Sequence, residues 1–431
     1  MTIFNDLLLA QITSSTPPSG PVFAEDTIVF GILAIALGLV FYTSNIKTGF
    51  WAKFYKYIPA LLMCYMIPAV LNTLGIISSD VSKTYDIAKN YLLPTALVLM
   101  TLSIDLKAVF NLGSKALIMF LTATVGVIIG GPIAILIVST FSPETVGGEG
   151  FDAVWRGLAT LAGSWIGGGA NQAAMLEIYK FNEQKYAAMV LVDIVVANLW
   201  MAVLLLGVGS NDKIDKWLKA DSSSIEELKN KVEKFAKSIT RNPSLADIMI
   251  ILGLGFGTTA VSHFLADFTS NGFVSFGFDP VKSTLTNHFF WLIVYATSFG
   301  LALSFTKARN YEGAGASKIG SVFVYILVAT IGMKMNILKI MDDPLIVLVG
   351  LIWMAVHVGL LVAVAKIIRA PFFFLAVGSK ANIGGAASAP VVAAAFHPAL
   401  ASVGVLLAVL GYALGTYGAL LCAELMSYVA P

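Results

Sequence analysis

Charge is what this sequence has least of. Only 12% of its 431 residues are Asp, Glu, Lys or Arg, about half the roughly 25% of an ordinary soluble domain, and the mean hydropathy is +0.84. Such a composition excludes a water-soluble fold. Cysteine is nearly absent, and Cys64 and Cys422 both lie in apolar stretches, so no disulfide framework is expected. The four histidines, His263, His288, His357 and His397, fall in separate segments, and no His/Cys group has metal-site spacing. A net charge of +2, with no Lys/Arg cluster interleaved with aromatics, leaves no footprint for nucleic acid. The P-loop pattern is missing as well, so direct ATP coupling is not expected.

Long apolar runs are what the chain has instead. Twelve stretches are long enough to span a bilayer core, at about 27–44, 56–77, 91–111, 115–140, 153–180, 186–209, 244–267, 287–306, 319–340, 344–368, 371–395 and 399–428. Two of them, 153–180 and 371–395, are interrupted. The N-terminal MTIFNDLLLAQI lacks a basic flank and reads as a retained leader over residues 1–26, with a cleaved signal as the alternative. Residues 210–243 look like soluble structure. There Ile225, Leu228, Val232 and Phe235 share one face of an amphipathic linker helix joining a first membrane half, 27–209, to a second, 244–431.

The halves repeat each other. LAGSWIGGGANQAA (Leu161 to Ala174) and LAVGSKANIGGAASA (Leu375 to Ala389) both read Gly-Ser, spacer, Ile-Gly-Gly, small residues. At an offset of 217, Ile166, Gly167, Gly168 and Ala170 coincide with Ile383, Gly384, Gly385 and Ala387. Upstream, TLSIDLKAV lies opposite TIGMKMNIL. Lys47, Lys53, Lys56, Lys107 and Lys115 in the first half, and Lys307, Arg309, Lys318, Lys366 and Arg369 in the second, favour inverted units with the N-terminus outside. The span count conflicts with that. Equivalent helices are separated by six spans where inversion needs an odd number, which points to a miscount between 209 and 306 and to eleven or thirteen crossings rather than twelve. Either 244–267 does not cross fully, or NGFVSFGFDPV (Asn271 to Val281) forms an extra element.

A glycine inside a helix costs about 1 kcal/mol relative to alanine, and in lipid each freed backbone group needs an internal partner. Breaks at Gly163 to Gly169 and around Gly384 would expose helix ends carrying partial charges of both signs. Two such breaks meeting at the midplane make the binding site of many secondary transporters. The competing reading is that these glycines only permit close helix packing, which is the expected role of Gly411, Gly415 and Gly418. Polar neighbours favour a site: Ser164, Gly167, Gly168, Gly169, Asn171 and Gln172 at the first break, and Ser379, Lys380, Asn382, Gly384, Gly385 and Ser388 at the second.

These paired motifs, with LVDIVVAN after the first and LGYALGTYGALL after the second, resemble the YjcL-type family of bacterial membrane proteins of unassigned function. That family is distantly similar to the superfamily of cation/proton antiporters and of bile-acid and glutamate sodium symporters. The resemblance implies an all-α polytopic fold of two inverted repeats, each with a broken crossing helix, in which a core domain moves as an elevator against a scaffold. It also implies an ion-binding carboxylate in the helix after the first break, often as an acidic pair. Here Val192 precedes Asp193, so the pair is absent.

Asp193 is itself an intramembrane acid and hence a functional candidate, with Asn198 five residues on. Na+ at Asp193 and Asn171, or a proton on Asp193, would be the coupling ion. The alternative for Asp193 is a structural hydrogen bond. Lys380 would pair with Asp193, hold a substrate carboxylate, replace a coupling cation, or snorkel to an interface. Glu177 is expected at a cytoplasmic mouth, Asp105 and Lys107 at an interface, and His357 as a packing residue. The expected function is secondary transport of a small anionic organic solute driven by Na+ or H+ in the bacterial cytoplasmic membrane, with no other cofactor. The partners are the solute or ion, the bilayer and a second copy of the chain. A cation/proton antiporter is the nearer rival and a membrane enzyme acting on a lipid-linked substrate the farther one.

Overall fold

Residues 21–431 are described in the computed structural model, apart from 59, 80, 106–108, 222–241, 280–283, 336–343 and 398–399. The linker helix expected around Ile225, Lys107 and most of the leader lie outside the described residues. The protein is an all-α polytopic membrane protein, and no strand is formed among the described residues.

In chain order the helices are α1 (Asp26–Ser44), α2 (Gly49–Tyr57), α3 (Ala60–Thr73), α4 (Leu93–Leu102), α5 (Ser114–Ser139), α6 (Val154–Gly167), α7 (Gly169–Tyr179) and α8 (Tyr186–Val208). After α9 (Asn211–Leu218), which lies in the stretch expected to be a linker, come α10 (Leu245–Ser275), α11 (His288–Ser304), α12 (Ala316–Gly332), α13 (Ile346–Ile367), α14 (Phe372–Asn382), α15 (Gly385–Phe396) and α16 (Ala401–Val429). One α turn (Thr84–Ile87) and a π-helical turn (Ala88–Leu92) lead into α4. A capping box opens α10: Asp247 N–H donates to Ser244 Oγ (3.1 Å) and the Asp247 carboxylate accepts from Ser244 N–H (3.0 Å). The helix then runs unbroken for 31 residues, about 46 Å at 1.5 Å per residue. The 244–267 segment is therefore long enough to cross, and Asn271–Ser275 is its last turn rather than an extra element.

Contacts between helix ends sort them onto two faces. On the basic face, Arg309 meets Asp105 (3.2 Å), Lys115 meets Asp221 (3.2 Å) and Asp221 N–H donates to Arg369 O (3.2 Å). On the opposite face, Ser82 Oγ donates to Asp26 (2.8 Å), Asn182 N–H to Phe151 O (2.9 Å), Asn287 Nδ2 to Ile178 O (3.1 Å) and Lys334 Nζ pairs with Glu183 (2.9 Å). α1, α3, α4 with its preceding turns, α5, α8, α10, α11, α12, α13 and α16 connect one face to the other. Six of these, α1, α5, α8, α10, α13 and most of α16, are long and apolar enough to span a membrane alone.

The interrupted segments do not cross, which corrects the expectation of broken crossing helices. Trp155 near the start of α6 and Tyr179 at the end of α7 bring their rings to 5.4 Å, and Arg156 Nη1 donates to Tyr179 O (2.6 Å). The α6–α7 pair is thus a hairpin returning to the opposite face. Phe373 at the start of α14 and Phe396 at the end of α15 are likewise 5.3 Å apart, and Phe372 N–H is held by Asp215 of α9 (2.7 Å) on the basic face. With both interrupted segments returning to their own faces, ten described segments connect the two faces, fewer than the eleven or thirteen expected.

By contact, α1, α3, α4, α10, α11 and α12 form one group, while α5, both hairpins, α8, α13 and α16 form another, with α7 and α16 against α4 and α11 at the seam. The second group is tightly interlocked. On α5 and α13, the helices at equivalent places in the two halves, Trp353 Nε1 donates to Val127 O (2.8 Å) and the indole lies where side chains on Gly130 and Gly131 would be.

Candidate functional site

Each hairpin turns within a residue or two. Gly168 (φ 76°, ψ −172°) alone separates α6 from α7, so the break is narrower than Gly163 to Gly169 and the chain stays helical through Gly167. Gly163 and Gly167 serve close approach instead: a Cβ on Gly163 would sit 2.6 Å from Asn171 O, and one on Gly167 2.6 Å from Gly415 Cα. The packing role read for Gly411, Gly415 and Gly418 agrees with their contacts on Ile166 and Gly167. At the second tip Gly384 (φ 105°) and Gly385 (φ 54°) take left-handed conformations that L side chains resist. The tips are neighbours, since Ile166 O and Ala381 O both lie within 4 Å of the point where a Cβ on Gly411 of α16 would stand.

Helix α8 runs past both tips and offers each a different group. Asp193, Ala197 and Trp200 recur at i, i+4 and i+7, which places them on one face. Ser164 Oγ and Trp165 Nε1 of the first hairpin donate to the two Asp193 oxygens at 2.7 and 2.8 Å. Lys380 Nζ of the second hairpin donates to Ala197 O at 2.9 Å. Trp200 Nε1 donates to Ser379 Oγ (2.8 Å), which also meets His357 Nε2 of α13 (2.8 Å). Asp193 is 7% exposed and Lys380 2%. The two charges are not in direct ion-pair contact. Lys380 does not snorkel; it is enclosed, with one of its three N–H donors engaged. Beside it Gly384 is exposed, and Ser388 Oγ has no hydrogen-bond partner.

Asn171 and Asn382 turn away from this face and clamp the tips. Asn171 Nδ2 donates to Gly167 O and Tyr412 O (both 3.0 Å), while its Oδ1 accepts from Thr416 Oγ1 (2.6 Å). Asn382 Nδ2 donates to Gly378 O (3.1 Å) and Phe120 O (3.2 Å), and its Oδ1 accepts from Thr124 Oγ1 (2.8 Å). In both, the amide takes the carbonyl four residues back, plus a carbonyl and a threonine one turn apart on a neighbouring helix. With its amide engaged by α16, Asn171 does not share partners with Asp193, contrary to the Na+ pairing expected from sequence. Asn198 is corrected too: it is exposed and donates to Ile194 O (2.7 Å), away from the carboxylate. Gln172 stays with the site, its Nε2 buried beside Asp193.

Several contributors carried no sequence signal beyond apolar context. Trp165 and Trp200 sit within apolar runs, although an indole N–H buried in lipid must find an acceptor and was a usable clue. Tyr65 of α3 and Tyr186 of α8, with rings 6.3 Å apart and buried hydroxyls, come from opposite groups and meet near Asp193 only in the fold. Glu177 does not reach the basic face. It lines a cavity of about 1020 Å³ on the opposite face, with Lys89, Lys180, Glu183 and Lys334.

Among curated proteins, the uncharacterized membrane protein YjcL of Bacillus subtilis (strain 168) is 25% identical over 366 residues, covering 81% of this chain and 85% of that protein. Residues 31–429 match the family described as "Protein of unknown function (DUF819)". A match over nearly the whole chain, carrying both hairpins and α8 within it, means that this membrane protein belongs to the DUF819 family.

Proposed function

We propose that the protein is a secondary active transporter for a small anionic organic solute, driven by Na+ or H+ across the bacterial cytoplasmic membrane. The observation that carries this reading is the placement of Asp193 and Lys380 along one face of α8, each at a hairpin tip and neither paired with the other. Buried charge inside a membrane is costly and is retained chiefly where it binds or moves charge. Lys380, with free donors beside Ser388 Oγ and the unpaired N–H groups that begin α15, suits a carboxylate. Asp193, with Gln172, Tyr65 and Tyr186 close by, suits the coupling ion. Hairpins opening to opposite faces support inverted units and alternating access. The division into two helix groups supports an elevator-type movement of the hairpin group against the other.

Uptake of a panel of radiolabelled mono- and dicarboxylates into vesicles holding the purified chain, with and without a Na+ or pH gradient, tests this. Asp193→Asn should abolish gradient dependence, and Lys380→Met should abolish uptake. Unchanged, still ion-dependent uptake in Asp193→Asn overturns the coupling role. Cation-driven proton movement with no organic solute present would favour the antiporter instead.

A further inference from the structure

On the opposite face, the open end of the first hairpin is bound to the other helix group by charge. Lys89 Nζ, on the π-helical turn before α4, lies 2.5 Å from Glu177 Oε2 near the end of α7. Lys334 Nζ, just after α12, contacts both oxygens of Glu183, at 3.0 and 2.9 Å, in the loop that follows the hairpin. In both pairs the cation comes from the α4/α12 group and the anion from the hairpin or the loop after it, where Lys180 also lines the cavity. Tyr85 fixes the cationic side, with Lys334 Nζ 3.7 Å and Lys89 Nζ 6.0 Å from its ring centroid. All four charged groups line the 1020 Å³ cavity. The second hairpin has no counterpart among the described residues. Its open end is tied to α9, which packs on α8 and α14, through Asp215 and Arg369.

We propose that Lys89–Glu177 and Lys334–Glu183 form a two-bolt latch that holds the first hairpin against the α4/α12 group and closes the cavity wall at the seam. Glu177 is the inner bolt. It is 5% exposed, and its Oε1 has no hydrogen-bond partner, so when Lys89 withdraws the carboxylate faces the cavity with both oxygens free. Glu183 is the outer bolt, a third exposed and therefore the first reached by water and salt. Parting of the groups at this face requires both pairs to break, whereas the second hairpin can stay with α9 throughout.

The test needs no substrate, so its outcome is separate from that of the transport reading. Leu176, 2% exposed on the cavity wall beside Glu177, is replaced by cysteine, and the rate of labelling by a membrane-impermeant maleimide is measured on the full chain in vesicles. The native Cys64 and Cys422, both buried, set the background on the unsubstituted chain. Glu177→Gln and Lys334→Met should each raise the rate by roughly fivefold, the scale expected for loss of one partly exposed pair. The charge exchange Lys89→Glu with Glu177→Lys should bring it back to within about twofold of the parent. Unchanged rates in both single variants overturn the latch, and so does an exchange that labels as fast as the singles. Should the exchange fail to fold, Glu183→Gln, at the more exposed bolt, is read in its place: a rate equal to the parent's also overturns the proposal.

Discussion

The two hairpins carry the same sequence signature and put it to different use. In the first, the glycines mostly make room: Gly163 lets α7 fold back on α6, Gly167 meets Gly415 of α16, and only Gly168 turns the chain. In the second, Gly384 and Gly385 supply backbone conformations, and the polar side chain at the tip is a lysine rather than a serine on a carboxylate. The first hairpin meets α8 through Asp193 and is latched by charge at its open end; the second meets α8 through Ala197 and Trp200 and is tied to α9. A duplicated motif therefore specifies the shape of a hairpin, while its chemistry depends on what each copy is packed against.

The largest expected effect breaks the packing half of this comparison. Gly167→Val should destabilise the protein by about 3 kcal/mol or more, because backbone on α16 blocks the side chain and cannot move as a rotamer could. Gly385→Ala has open space around it and should cost only about 1 kcal/mol of conformational strain. Thermal unfolding of the detergent-solubilised chain reads both, and equal losses would erase the distinction. The clamps should behave alike instead. Asn171→Ala and Asn382→Ala each strand buried carbonyls and a threonine, at about 2–4 kcal/mol, and a difference above about 1.5 kcal/mol would show that one tip is held by something else.

Removing charge at the tips separates binding from stability. Lys380→Met takes out a buried ammonium with one acceptor and should leave the melting temperature unchanged or higher while uptake is lost. A melting temperature that falls by about 2 °C or more, the scale of a 1 kcal/mol loss in a domain of about 250 residues, would make the lysine a structural strut. The smallest effect belongs to Asn198→Ala, expected within about 0.5 kcal/mol in stability and without change in uptake, since the residue is exposed on α8. Topology sharpens the comparison from another side. Single cysteines at Gln184 and at Arg369 should be labelled from opposite sides of oriented vesicles, and labelling from one side would refute hairpins that open to opposite faces.

The two breaks, the apolar spans and the outlier Asp193 stand out because glycine runs and lone acids are costly in lipid, and cost is visible in one dimension. The return of each interrupted segment to its own face was not visible. A crossing of 28 residues and a hairpin of the same length have the same hydropathy, and what distinguishes them is that Trp155 finds Tyr179 and Phe373 finds Phe396. Asn171 looked like a ligand for the same reason: a polar side chain in an apolar run shows that a partner is needed without saying which, and the partner is Thr416, some two hundred and forty residues on.

By itself the sequence determined that the chain lives in a membrane, that it is helical, where its helices break and which few charges lie within it. Those follow from local transfer costs, which each residue incurs wherever the chain goes. The tertiary structure alone decided that the breaks are hairpin tips set side by side, that Asp193 and Lys380 share one face of α8 without touching, and that Glu177 and Glu183 bind across the seam to Lys89 and Lys334. Those are properties of pairs far apart in the chain, fixed by packing distances of a few ångströms that no local pattern encodes.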